Sequence, residues 1–185
     1  MKKILIITLA TGLVAVGLQS CQKTKVLEPT VIKFHVNFAA PLGTGDDTDA
    51  WVEDGVPTNE NYQYRYNKSI PSITQDVLDN GAVLAYIRVM DNICGGISAE
   101  NEGNAWAAMP YTETRSGYIL ILGYQCKPGL FSFTRKDTDL ITATDNYFVK
   151  VVVLSAVEKN ILIEAGVDQT NHNAVMDLLD REIEN

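Results

Sequence analysis

Histidine and cysteine are scarce in this sequence of 185 residues: two histidines, His35 and His172, and three cysteines, Cys21, Cys94 and Cys126. Their scarcity limits the chemistry. A zinc site gathers several His and Cys ligands, and a hydrolytic triad needs a nucleophile, a base and an orienting group. Neither histidine stands beside a cysteine or inside a recognisable catalytic motif. Gly-x-Ser-x-Gly, His-Glu-x-x-His, the phosphate-binding loop and the dinucleotide fingerprint are all missing. Paired carboxylates can cleave a glycosidic bond, but a chain this acidic offers pairs everywhere. The sequence therefore reads as non-enzymatic. Positive charge is short as well: 15 Lys and Arg face 23 Asp and Glu, for a net charge of −8. That balance repels nucleic acid and anionic lipid headgroups. Long apolar runs are lacking too, and the longest, 4–18, falls short of the roughly 20 residues that a spanning helix needs.

That run is itself informative. Lys2 and Lys3 precede it, and Gln19-Ser20-Cys21 follows. A basic start, a short apolar segment and a small residue before the cut describe a secretory leader, here 1–20. Leu18-Gln19-Ser20-Cys21 resembles the lipobox of bacterial lipoproteins, with Gln19 bulkier and more polar than the usual occupant. The resemblance implies that Cys21 carries a diacylglycerol on its sulfur and a third acyl chain on its amine. Each buried methylene contributes about 0.8 kcal/mol, so two or more chains anchor firmly. Gln22, where Asp would favour retention at the inner membrane, favours the outer membrane under the Gram-negative sorting rule that this resembles. Surface-exported lipoproteins of the Bacteroidetes carry acidic residues there, whereas this chain has Lys23 and Lys25. A periplasm-facing position therefore stays as open as the cell surface. Residues 21–30 read as the lipidated Cys and a tether, and 31–185 as one domain. Two basic residues and no acidic ones lie in 1–20, so the remaining 165 residues carry −10.

Periodicity then sets the fold class. Ile32, Phe34, Val36 and Phe38 alternate with Lys33, His35 and Asn37, which predicts a half-buried strand with His35 on its polar side. Residues 41–58 read as a loop that contains Trp51. Tyr62, Tyr64 and Tyr66 share one face of a strand over 61–68. A helical turn follows within 70–79, opened by Pro71 and Thr74 and stopped by Asn80-Gly81 in a left-handed conformation. Further strands are expected at 82–90, 105–111, 118–126, 130–134 and 147–154, with a loop at 95–103. The 118–126 strand is apolar on both faces, which places it in the middle of the core, and Lys127-Pro128-Gly129 turns it into a hairpin. Residues 161–163 read as a last strand or as part of the approach to a helix. Ala174, Val175, Leu178, Leu179 and Ile183 recur at helical spacing, with Thr170 or Asn171 as the cap. The expected class is mainly β: an antiparallel, immunoglobulin-like β-sandwich with a short mid-chain helical turn and a C-terminal helix. In an oxidising compartment Cys94 and Cys126 either bond to each other or stay as two thiols. The bond would contribute roughly 3–4 kcal/mol.

The stretch Ser72-Ile73-Thr74-Gln75-Asp76-Val77-Leu78-Asp79-Asn80-Gly81-Ala82-Val83, followed by Trp106-Ala107-Ala108-Met109-Pro110, has a likeness elsewhere. It resembles a group of Bacteroidetes secreted proteins and lipoproteins of unknown function. In them a Thr-Gln-Asp element, ending in Gly-x-Val, precedes a strand, and a Trp…Pro element follows. The resemblance covers 30–155, carries no known catalytic residues and implies a β-sandwich on the cell envelope.

Two ligand classes have candidate residues. Asp47, Asp49 and Asp54 lie in an acidic, glycine-bearing loop, and hard oxygen ligands of that kind suit Ca²⁺. Ala50 and Trp51 break any EF-hand spacing, and a solvated acidic loop is the plainer alternative. Trp51, Tyr62, Tyr64, Tyr66 and Trp106 are candidates to stack on a sugar ring, or else to pack the core, with Trp51, inside a polar loop, the one best placed for exposure. The leading expectation is a lipid-anchored, non-enzymatic interaction or structural module. Its partner would be another envelope protein, met through a strand edge or apolar patch. A glycan-binding accessory lipoprotein is the alternative, and an envelope enzyme a further one.

Overall fold

The computed structural model describes residues 28–36, 40–54, 63–90, 106–115, 118–137 and 146–183. The leader, Cys21, Tyr62, Cys94 and the 95–103 loop lie outside these described residues. The elements are β1 (Thr30–Val36), β2 (Trp51–Asp54), β3 (Gln63–Ser69), α1 (Gln75–Asp79), β4 (Ala82–Met90) and β5 (Ala107–Ala108), followed by β6 (Tyr111–Arg115), β7 (Tyr118–Lys127), β8 (Leu130–Asp137), β9 (Asn146–Leu154), α2 (Ala156–Glu164) and α3 (His172–Ile183). A four-stranded sheet runs β1-β9-β4-β5 and a five-stranded sheet runs β2-β3-β8-β7-β6. Among the described residues these strands pair with one another antiparallel, and one isolated parallel bridge joins Leu42 to Trp51. The two sheets form the β-sandwich that the alternating pattern predicts.

Alternation decides what lies between the sheets. From the four-stranded sheet, Ile32, Phe34 and Val36 of β1 and Tyr147, Val149, Val151 and Val153 of β9 join the main core. From the five-stranded sheet come Trp51, Tyr66, Phe131, Phe133, Leu120 and Leu122. Tyr124 spans the layers, its hydroxyl donating to the Val83 carbonyl at 2.8 Å. A second apolar cluster lies on the outer face of the four-stranded sheet. There Tyr86, Val152 and Leu154 pack with Leu162 of α2 and Val175 and Leu179 of α3. The molecule therefore has three layers: helices, four-stranded sheet, five-stranded sheet. β9 is covered on both faces, which is why it reads as a nearly unbroken apolar run.

Several expectations are corrected. The 41–58 segment is not all loop, because β2 pairs Trp51 with Tyr66 and Glu53 with Tyr64. The 118–126 strand is not buried on both faces. Leu120 and Leu122 are fully buried, while Ile119 and Ile121 are 41% and 39% exposed, since α2 and α3 cover only the other sheet. Residues 161–163 belong to α2, not to a strand. Its start is a capping box: Ser155 Oγ accepts from the Glu158 amide at 3.4 Å, and Glu158 Oε2 accepts from the Ser155 amide at 2.6 Å. Its end is a Schellman turn, with Gly166 at φ 67° and the Val167 amide donating to the Leu162 carbonyl. The 105–111 segment is two strands in different sheets, β5 and β6, joined through a cis Met109–Pro110 bond.

Neither residue that stops α1 is left-handed. Asn80 has φ −121°, and Gly81 is not among the positive-φ glycines. Gly81 is needed for space, because a Cβ there would lie 2.2 Å from the Leu154 carbonyl oxygen. The caps foreseen for α1 and α3 are present. Thr74 Oγ1 accepts from the Val77 amide at 3.2 Å, and Asn171 Oδ1 accepts from the Ala174 amide at 3.2 Å. The β7–β8 hairpin turns on Pro128 and Gly129, with Gly129 at φ 78° as a Pro-Gly type II turn requires.

Candidate functional site

Of the aromatic candidates from the sequence, Trp51 and Tyr66 are buried in the main core, Tyr64 is half-buried against it, and Trp106 is half-buried against the second cluster. Trp51, the one best placed for exposure, is only 4% exposed. Its place opposite Tyr66 in the β2–β3 ladder turns it inward, edge-on to Tyr66 at 5.5 Å, Tyr64 at 6.3 Å and Phe133 at 6.2 Å. Tyr66 is buried, and its hydroxyl donates to Asp49 Oδ1 at 3.2 Å. Burial, reinforced by the charge and hydrogen bond of Asp49, pushes its pKa up to about 12. Trp51, Tyr64 and Tyr66 thus form no exposed flat surface for a sugar ring; Tyr62 lies outside the described residues.

The acidic loop folds onto the outer face of the five-stranded sheet. Asn67 Nδ2 donates to the Gly45 and Asp47 carbonyls, and Arg65 Nη2 donates to Gly45. Asp47, Asp49 and Asp54 do not converge. Asp47 Oδ2 accepts from the Thr44 amide at 2.9 Å, Asp49 pairs with Lys68 at 2.6 Å, and Asp54 pairs with Arg65 at 3.4 Å. Asp46 reaches Lys127 at 3.1 Å. Among the described residues no three His, Cys, Asp or Glu gather as a metal would require. An open groove of about 330 Å³ lies beside β2, lined by Leu42, Gly43, Thr44, Gly45, Val52 and Glu53. None of the three Ca²⁺ candidates lines it.

Cys126 is a free thiol among the described residues, and Cys94, the partner weighed for it from the sequence, lies outside them. The Cys126 side chain joins the main core, and burial pushes its pKa up to about 11. A thiol so placed is neither a good nucleophile nor a ready redox partner.

The residues that do gather join Trp106 and His172, both weighed from the sequence, to Lys150 and Tyr86, which the sequence reading passed over. On the outer face of the four-stranded sheet, Lys150 of β9 is 4% exposed and His172, the first residue of α3, is 9% exposed. Lys150 Nζ lies 2.6 Å from His172 Nε2. An ammonium can only donate, so Nε2 accepts, and the ring proton sits on Nδ1. From there it is donated to Asn173 Oδ1 at 2.9 Å. Trp106 covers the pair, its ring stacked 5.6 Å from His172 and 4.4 Å from Lys150 Nζ. Tyr86 meets His172 edge-on at 5.0 Å, and its hydroxyl donates to the Gln169 carbonyl at 2.8 Å. Burial raises the Tyr86 pKa. Burial also lowers that of His172, helped by the charges of Lys150 and Lys33 and opposed by Asn173 and Asp177. The imidazole is neutral and its acceptor nitrogen is occupied. The cluster is a clasp between sheet and helix.

Further along the same face, Arg88 lies over the Phe148 ring at 5.4 Å, and exposed His35 packs beside Phe148 at 5.0 Å. The signal for Lys150 was present in the sequence as a lone lysine inside the apolar run 147–154. Comparison with protein-family models, with curated proteins and with solved structures returns no match.

Proposed function

We propose that this chain is a lipid-anchored envelope protein that acts without catalysis, as a docking module for another envelope protein. The observation that carries the reading is the outer face of the five-stranded sheet at β6 and β7, which none of the described helices covers. Ile121 stands opposite Thr112, and Ile119 opposite Thr114, with all four side chains exposed. Paired β-branched side chains make a flat, semi-apolar surface that loses little rotamer freedom on contact. The opposite outer face is occupied by α2 and α3. The lipobox-like Leu18-Gln19-Ser20-Cys21 supports a membrane anchor, and tethering raises the effective concentration of the docking face at the membrane.

Photo-crosslinking in intact cells tests the reading. A photoreactive residue at position 112 is expected to give a discrete adduct with one envelope protein, and one at Val157 on α2 is not. Adding Ile119→Asp and Ile121→Asp should abolish the adduct while the fold persists by circular dichroism. Equal labelling from both positions, or none from position 112, would count against a docking face. Cys21→Ala is expected to release the protein from the membrane fraction and to remove incorporated acyl label.

A further inference from the structure

His172 occupies a position that its charged form cannot share. Lys150 Nζ stands 2.6 Å from the nitrogen that would take the proton. Protonation turns that nitrogen from acceptor into donor and sets two cations in contact. The residue also begins α3, and positive charge at a helix N-terminus opposes the helix dipole. Charged and titratable groups stand on each of the elements around the ring. Lys150 on β9 and Lys33 opposite it on β1 are cationic. Tyr86 from β4 contributes a phenol and Arg88, further along that strand, a guanidinium. Asp168 lies in the turn before α3, and Asp177 on α3 partly offsets the cations.

We propose that His172 is an acid-labile latch: proton uptake at Nε2 sets a second cation against Lys150, frees the first turn of α3 and uncovers the apolar outer face of the four-stranded sheet. The surface released includes Tyr86, Val152 and Leu154, all buried when α3 is docked. The direction in pH follows from linkage. The docked imidazole binds a proton less readily than the released one, whose ordinary value is about 6.5. Docking is therefore fully stabilised above that value and weakens as pH falls below it, through the lowered pKa of the docked form. The latch stands independently of the membrane anchor and of the β6–β7 docking face.

Hydrogen exchange by mass spectrometry, on the full chain in detergent micelles, reads α3 separately from the sheets. Between about pH 7.5 and about pH 5, with intrinsic rates corrected, α3 is expected to lose protection several-fold while β3 and β8 keep theirs. His172→Gln retains an acceptor for Lys150 and does not titrate, so its α3 should stay protected at both pH values. In the unaltered protein, the imidazole resonances of His172 should shift with the same midpoint as α3 exchange, a readout that needs no variant. Full protection of α3 at the lower pH would overturn the latch. So would an acid loss shared by His172→Gln, one spread equally over the sheets, or one whose midpoint differs from that of the imidazole.

Discussion

A methyl group at position 81 would sit 2.2 Å from the Leu154 carbonyl oxygen and 3.0 Å from that of Val77. Both are backbone atoms, so neither escapes by rotation. Gly81→Ala is expected to cost about 1–3 kcal/mol through overpacking, seen as a lower urea midpoint at unchanged slope. From the sequence, Asn-Gly after a helical turn looks like a left-handed stop, because that is the commoner need for glycine there. The actual need is close approach to a strand far along the chain, which local sequence does not encode. Trp51 teaches the same lesson. Set in a loop rich in acidic residues, it suits exposure, yet its register against Tyr66 sends it into the core. Lys150 is the converse: a charged residue buried within an apolar strand, kept there by His172 and the face of Trp106.

Helix α2 shows how an element can be legible and still be missed. Ser155-Ala156-Val157-Glu158 carries the Ser-x-x-Glu capping signature in plain order, and Gly166 marks the end. Ile161, Leu162 and Ile163 nonetheless suggest a strand, because β-branched residues favour one. The box and the packing of Leu162 under the sheet outweigh that preference. Ser155→Ala should therefore destabilise the protein by about 1 kcal/mol, measured as a small drop in thermal midpoint with no change in strand content. The apolar pattern of 118–126 marks β7 as a strand, but only one of its two apolar faces lies in the core. Alternation states that Ile119 and Ile121 share a face, not whether another layer covers it.

At the scale of the whole molecule, the third layer is what the strand pattern alone would not supply. Val175 and Leu179 of α3, with Leu162 of α2, close the outer face of the four-stranded sheet. Leu179 is 1% exposed, so Leu179→Ala is expected to cost about 2–5 kcal/mol. If the helical layer were merely appended, chemical denaturation of that variant would show little change.

The sequence by itself determined the mainly β class, the alternating inner faces, the hairpin at Pro128-Gly129 and the terminal helix. Each of these follows from spacing and turn chemistry within a few residues. It also supplied the lipobox-like leader on which the proposed anchor rests. Only the tertiary structure decided which sheet face α2 and α3 cover, which aromatic residues lie inside, and that Lys150 meets His172 at the start of α3. Those outcomes depend on register between strands distant in sequence and on which layer packs where. Such contacts join residues far apart in the chain, as Thr30 with Val153 and Tyr86 with His172, and no local pattern carries that information.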